Sequence, residues 1–341
     1  MATFSQVIIN IKVKRLTYWR VTANLCPPVC LVLRMFKTIE KKNSLIMAHN
    51  IFKGLGVALI TPFTSDGDVD WKSLKRLVEY QISNGADFLC ILATTGETPC
   101  LSAEEKIKIK QLVVEVNNGR VPVLMGCGGN NTRAVVEELK SADWSGVDGV
   151  LSVCPYYNKP SQEGLYRHFK AIAEASPLPV VLYNVPGRTG VNLKAETTVR
   201  LARDCKNIVA VKEASGSLEQ VDEIIKNKPH RFDVISGDDA LTFQMMASGA
   251  AGVISVIGNA LPKEFSRMIR LEFNGEYEPA RKIHHRFNEL YSLLFVDGNP
   301  AGVKALLHEM GFIDNVLRLP LVPTRLKTMQ RISEILKELK I

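Results

Sequence analysis

The 341 residues are 46 % hydrophobic and 23 % charged, an ordinary globular composition with room for one large domain or two medium ones. The net charge of +8 is unevenly spread: residues 1–46 hold Lys12, Lys14, Arg15, Arg20, Arg34, Lys37, Lys41 and Lys42 against Glu40 alone. The rest of the chain is therefore nearly neutral and carries no nucleic-acid footprint, and no run of about 18 apolar residues predicts a helical membrane span.

Seven cysteines lie at positions 26, 30, 90, 100, 127, 154 and 205. None forms a Cys-x-x-Cys pair and their number is odd. They are expected to be buried free thiols of a reducing, cytoplasmic compartment, not a disulfide frame or a zinc site. Residues 1–46 are basic, acid-poor and weakly periodic. A targeting peptide, a basic arm and translated upstream sequence with the start at Met47 all fit, and the expectation adopted is the last.

From Gly54 the chain alternates. Apolar runs predict strands at 55–61, 87–93, 121–126, 149–154, 179–184, 208–213, 232–236 and 252–257. Between them, helical periodicity covers 71–83, 103–117, 132–145, 162–175, 194–204, 218–227 and 240–248. Ser102-Ala103-Glu104-Glu105 and Ser217-Leu218-Glu219-Gln220 have the capping-box pattern. Eight strand–helix repeats predict a parallel α/β fold with right-handed crossovers, and their number fits a closed (β/α)8 TIM barrel over residues 47–262. Neither a dinucleotide-binding glycine pattern nor a P-loop lysine is present. Residues 263–341 read as a C-terminal helical extension, with helices near 263–274, 276–296, 299–311 and 324–340.

Barrel chemistry sits at the carboxyl ends of the strands. There the sequence offers Thr94-Thr95-Gly96-Glu97, Pro155-Tyr156-Tyr157-Asn158, Tyr183 with the loop to Thr189, Lys212, Gly237-Asp238-Asp239 and Gly258-Asn259. In Ile208–Glu213, period two puts Ile208, Ala210 and Lys212 on one face and Val209, Val211 and Glu213 on the other. Alone, such a lysine fits a packed stem whose ammonium reaches water. The neighbouring strand ends reverse that reading. Burial favours the neutral amine, a nucleophile toward carbonyls. Tyr183 has a hydroxyl suited to a proton shuttle, Thr94 or Thr95 could relay the proton, and the Thr-Thr-Gly amides suit an anionic group. Arg188 is a planar donor suited to a carboxylate. Asp238-Asp239 lacks a third ligand and is expected to cap the next helix, so no metal is expected.

Thr94-Thr95-Gly96-Glu97-Thr98, Tyr183-Asn184-Val185-Pro186-Gly187-Arg188-Thr189-Gly190, Val211-Lys212-Glu213-Ala214-Ser215-Gly216 and the block from Pro155 to Gly164 together carry a resemblance. Over about residues 52–323 the chain resembles the class I, pyruvate-dependent aldolase/lyase superfamily that includes N-acetylneuraminate lyases, and within it the dihydrodipicolinate synthase family. The resemblance implies condensation of pyruvate with L-aspartate 4-semialdehyde to 4-hydroxy-tetrahydrodipicolinate, without a cofactor. The alternative is a lyase acting on a keto-sugar acid. It implies imine formation on Lys212, proton donation by Tyr183, relay through Thr94, and Tyr157 lent to a neighbouring subunit. It further implies Thr95 on the pyruvate carboxylate, Arg188 on the semialdehyde carboxylate, and Gly237 and Ile254 around the imine. A homotetramer built as a dimer of dimers is implied. Of the positions that bind feedback lysine in such enzymes, Asn130 and Tyr156 match, but Ala103, Lys106 and Ala134 stand where histidines and a glutamate would be. Weak or absent lysine inhibition is expected.

Overall fold

The structure, a computed structural model, describes residues 51–340. The basic segment 1–46, the expected start at Met47, and Cys26 and Cys30 lie outside the described residues. Eight strands close into a parallel barrel in sequence order: β1 Gly54–Ala58, β2 Phe88–Ile91, β3 Val123–Gly126, β4 Gly149–Val153, β5 Val180–Asn184, β6 Ile208–Glu213, β7 Asp233–Ser236 and β8 Gly252–Ser255. Every expected strand is present, several of them shorter than the apolar run. In β2 the cause is local: Leu92 takes φ +50 and turns the chain out of the sheet. The ring closes where β8 meets β1, with Gly54 opposite Gly252. There φ is +143 at Gly252, and a Cβ would stand 2.1 Å from the Gly54 carbonyl oxygen, so only glycine lets the seam close.

The helices after the strands are α1 Trp71–Ser83, α2 Ala103–Asn117, α3 Thr132–Ser141, α4 Gln162–Ala175, α5 Ala195–Asp204, α6 Leu218–Asn227, α7 Thr242–Ala247 and α8 Pro262–Phe273. Helix α8 follows β8 after the 3-10 turn Ile257–Asn259 and packs on β1. Beyond it come α9 Tyr277–Arg286, α10 Asn288–Val296, α11 Ala301–Glu309 and α12 Leu326–Leu339. The helix expected over 276–296 is thus two, broken at the fully buried Phe287, where φ is −104 and ψ is 6. Helix α3 stops at Ser141, short of the expected 145. The Lys110 ammonium binds both the Asp143 carboxylate (2.6 Å) and the Asp143 carbonyl (2.8 Å), holding the chain extended there.

The capping box at α2 forms as expected: Ser102 Oγ accepts from the Glu105 amide, and Glu105 accepts from the Ser102 amide. At α6 only half of it forms. Ser217 Oγ accepts from the Gln220 amide, but the Gln220 side chain turns to the buried Glu213 carboxylate instead. A buried anion without donors costs more than an exposed helix amide left to water.

Two apolar layers hold the barrel. Inside, Phe52, Phe88, Cys90, Leu124, Leu151, Val181, Ala210, Ile235 and Ile254 fill the lumen, with Phe52 edge-on to Phe88 at 5.5 Å. The outer layer lies between strands and helices. Cys90, Cys127, Cys154 and Cys205 are buried free thiols, and Cys100 is half-buried. No helix of the described residues is long and apolar enough to cross a membrane.

Glu272, on the packed face of α8, is an exception in the outer layer. It is buried, and neither carboxylate oxygen has a hydrogen-bond partner among the described residues. Burial pushes its carboxyl up to about 8. Because the folded value exceeds the unfolded one of 4.5, the folded state holds the extra proton, and stability falls as pH rises from 4.5 towards 8. Glu272→Gln should therefore melt like the parent near pH 5 and above it at pH 8, by roughly 2–4 kcal/mol, in thermal or urea melts across that range.

Candidate active site

The strand-end positions converge on one rim, and Lys212 is its buried charge, with 4 % of the residue exposed. It pairs in register with Tyr183 of β5 and Ile235 of β7. The Lys212 Nζ lies over the Tyr183 ring, 4.4 Å from its centroid.

Simple alternation does not describe β6 from end to end. The register shifts between Val180 and Val181: Val180 pairs with Ile208, Val181 with Ala210, and Val209 is the extra residue. This bulge moves Ile208 into the outer layer and brings Val209 beside Ala210 in the lumen. The face expected for Ile208 is therefore corrected; Lys212 keeps its inward one.

The lysine stem fits because position 237 has no side chain. A Cβ on Gly237 would sit 3.1 Å from both Cγ and Cε of Lys212 and 2.8 Å from the Ala214 Cβ. Cys90 faces the site from β2. Burial pushes its thiol up to about 11, the Lys212 charge opposing, so it stays protonated and does not compete as a nucleophile. Ile254 is buried in the same inner cluster as Tyr183.

Behind Lys212, Glu213 points out of the lumen and is 1 % exposed. Its oxygens accept from Asn184 Nδ2 (3.1 Å), Gln220 Nε2 (3.1 Å) and the Ser215 amide (2.8 Å). Burial pushes its carboxyl up while these donors oppose the shift. Asn184 Oδ1 also accepts from the Leu193 amide. The network ties the ends of β5 and β6 together just where Tyr183 and Lys212 stand. Sequence reading took Glu213 only as the outward neighbour of Lys212; an acid ending an apolar run, ahead of Ala214-Ser215-Gly216-Ser217, was the available signal.

Thr94, Thr95 and Gly96 form a 3-10 turn after β2. Thr95 is buried, and its Oγ1 accepts from Asn299 Nδ2 at 3.0 Å. Arg188 lies exposed on a one-turn helix, Pro186–Thr189, and its Nη2 reaches the Asn299 carbonyl at 3.4 Å. Asn299, from the loop between α10 and α11, therefore touches both. Nothing in the sequence pointed to it, since it lies in the C-terminal segment, 111 residues from Arg188. Tyr157 is not brought to Lys212: it is 89 % exposed with φ +72, an uncommon backbone state for a bulky residue. Tyr156 is also exposed, and its carbonyl accepts from Asn130 Nδ2. Asp238 caps the following turn through the Ala240 amide, as expected, and Asp239 accepts from the amides of Val256 and Ile257. Both are thus committed to backbone.

Comparison with known proteins gives consistent results. The Dihydrodipicolinate synthetase family model matches residues 51–339. The 4-hydroxy-tetrahydrodipicolinate synthase of Phocaeicola vulgatus is 65 % identical over 295 residues, covering 86 % of this chain and 99 % of that protein. The crystal structure of dihydrodipicolinate synthase from Aquifex aeolicus superposes with a TM-score of 0.82 at 42 % identity, covering 85 % of this chain and 98 % of that one. The chloride-inhibited enzyme of Acinetobacter baumannii, complexed with pyruvate, gives a TM-score of 0.82 at 43 % identity, covering 85 % and 99 %.

The Gly237 contact predicts a graded defect. Gly237→Ala should fold, but the displaced Lys212 stem should slow imine formation with a small keto acid by about tenfold or more, since about 1.4 kcal/mol of misplacement suffices. Ultraviolet absorbance of the imine in stopped flow measures it.

Proposed function

The chain belongs to the dihydrodipicolinate synthetase family, and on that premise we propose that Lys212 is the nucleophile of a pyruvate-dependent condensation. The reaction joins pyruvate to L-aspartate 4-semialdehyde, giving 4-hydroxy-tetrahydrodipicolinate, the first committed step of the diaminopimelate route to lysine. The observation that carries the catalytic assignment is the buried Lys212 amine, set over Tyr183 with its stem against Gly237. The pyruvate in the Acinetobacter baumannii structure supports giving this site the same first substrate.

Neutral Lys212 attacks the keto carbon of pyruvate. Tyr183 and Thr94 move the protons as the carbinolamine loses water to the imine. Thr95 holds the carboxylate. Loss of a methyl proton gives the enamine, whose terminal carbon attacks the aldehyde and forms the carbon–carbon bond. The substrate's own amine then displaces Lys212 and closes the ring, so the enzyme is regenerated and one water is released overall. Gly237 and Ile254 line the imine. Arg188 holds the carboxylate of the semialdehyde.

Tyr157 serves the site of a second copy. Its exposure and its strained backbone support that assignment, because such strain persists where surrounding structure or function requires it. The working enzyme is a cytoplasmic homotetramer, a dimer of dimers. Ala103, Lys106 and Ala134 offer no carboxylate for a lysine amine, so feedback by L-lysine is weak or absent; an inhibition constant in the low millimolar range or below would count against this.

Arg188→Ala tests the substrate assignment. The KM for L-aspartate 4-semialdehyde should rise about 10–100-fold, matching roughly 1.5–3 kcal/mol for a charge-assisted bond, with the pyruvate KM nearly unchanged. Equal effects on both constants, or none, would contradict the assignment.

A further inference from the structure

One ion pair among the described residues has both side chains fully buried: Lys304 Nζ to Glu97 Oε1, 2.5 Å apart. Withdrawing two charges from water is costly, and apolar residues of like size are often as stable or more so, so a buried ion pair is weak evidence of a stabilising role. The surroundings of the pair point to a role in placement. Lys304 Nζ also donates to the Val316 carbonyl at 2.9 Å and lies 4.0 Å from the Phe63 ring centroid. Glu97 Oε2 accepts from the Arg318 amide at 3.1 Å. Burial pushes the Lys304 ammonium down to about 8, with Glu97 opposing.

Glu97 is also the residue that closes the threonine turn. Its amide donates to the Thr94 carbonyl at 3.1 Å, and φ +52 lets it link the turn Thr94–Gly96 to the next turn, Thr98–Cys100. Its side chain is held by α11, while Thr95 is held by Asn299 just before the same helix. The turn thus has two anchors on one C-terminal segment.

We propose that Glu97 and Lys304 are positioning residues: their pairing fixes the Thr94–Gly96 turn against α11 so that Thr94 and Thr95 meet pyruvate in one geometry. The proposal rests on the roles given above to Thr94 and Thr95. A buried charge has one partner it can approach, so the ion pair sets the turn where an apolar contact would let it slide.

The test compares the full-length parent with two variants, Glu97→Gln combined with Lys304→Met, and Glu97→Asp. The first removes both charges together and leaves no lone buried ion; the second keeps the charge but draws it back. Both should melt within a few degrees of the parent. Each should raise the pyruvate KM and lower kcat, about tenfold together in the double variant and several-fold in Glu97→Asp, while the semialdehyde KM moves less than about twofold. Parent values for pyruvate KM and kcat in a folded variant would overturn the proposal. So would an equal rise in both Michaelis constants, which marks general loosening. If the double variant fails to fold, Glu97→Asp decides alone. A parent that does not condense the two substrates fails the functional reading itself, whereas an active parent with unaffected variants fails only the positioning role.

Discussion

Lys212 stands over the Tyr183 ring with its stem filling the space that Gly237 leaves, almost wholly out of solvent. A primary amine in such a place is costly unless nearby groups serve it in both protonation states. The closed parallel barrel meets that requirement. It brings every strand's carboxyl end to one rim, so residues far apart in sequence supply aromatic face, hydroxyl and backbone without leaving regular structure. The bulge at Val209 adjusts β6 so that Lys212 faces inward beside Tyr183.

Around this amine the buried charges are not left to chance. Glu213, directly after Lys212, is saturated by Asn184, Gln220 and Ser215, which joins β5 to β6 behind the site. On the opposite side, the threonine turn is tied to the C-terminal helices through Asn299 and Lys304. Arg318 adds a brace from the same region, pairing with Glu105 at 2.6 Å. The C-terminal extension thus contacts the loops at the strand ends, through Asn299 and Lys304, and not only the barrel's outer helices.

Much of this was legible in the amino-acid sequence, for definite reasons. Short apolar runs bounded by polar turns identify parallel strands, and chemistry confined to strand ends narrowed the search to a few loops. Tyr183 and Gly237 stand beside Lys212, and Thr95 lies in the turn after β2. Local features set by a single torsion or a distant contact were not legible: the break at Phe287, the early end of α3 under Lys110, and the bulge at Val209. Asn299 and Lys304 were missed because no short-range pattern distinguishes an asparagine or lysine that packs on a loop some 200 residues away.

The central claim is that Lys212 forms the covalent intermediate. The most direct measurement is borohydride reduction in the presence of pyruvate, followed by mass mapping of the peptides, with Lys212→Ala as the control. The account predicts a single reduced pyruvate adduct on Lys212 and none in the control. An adduct on another lysine, or no adduct in the parent, would contradict it.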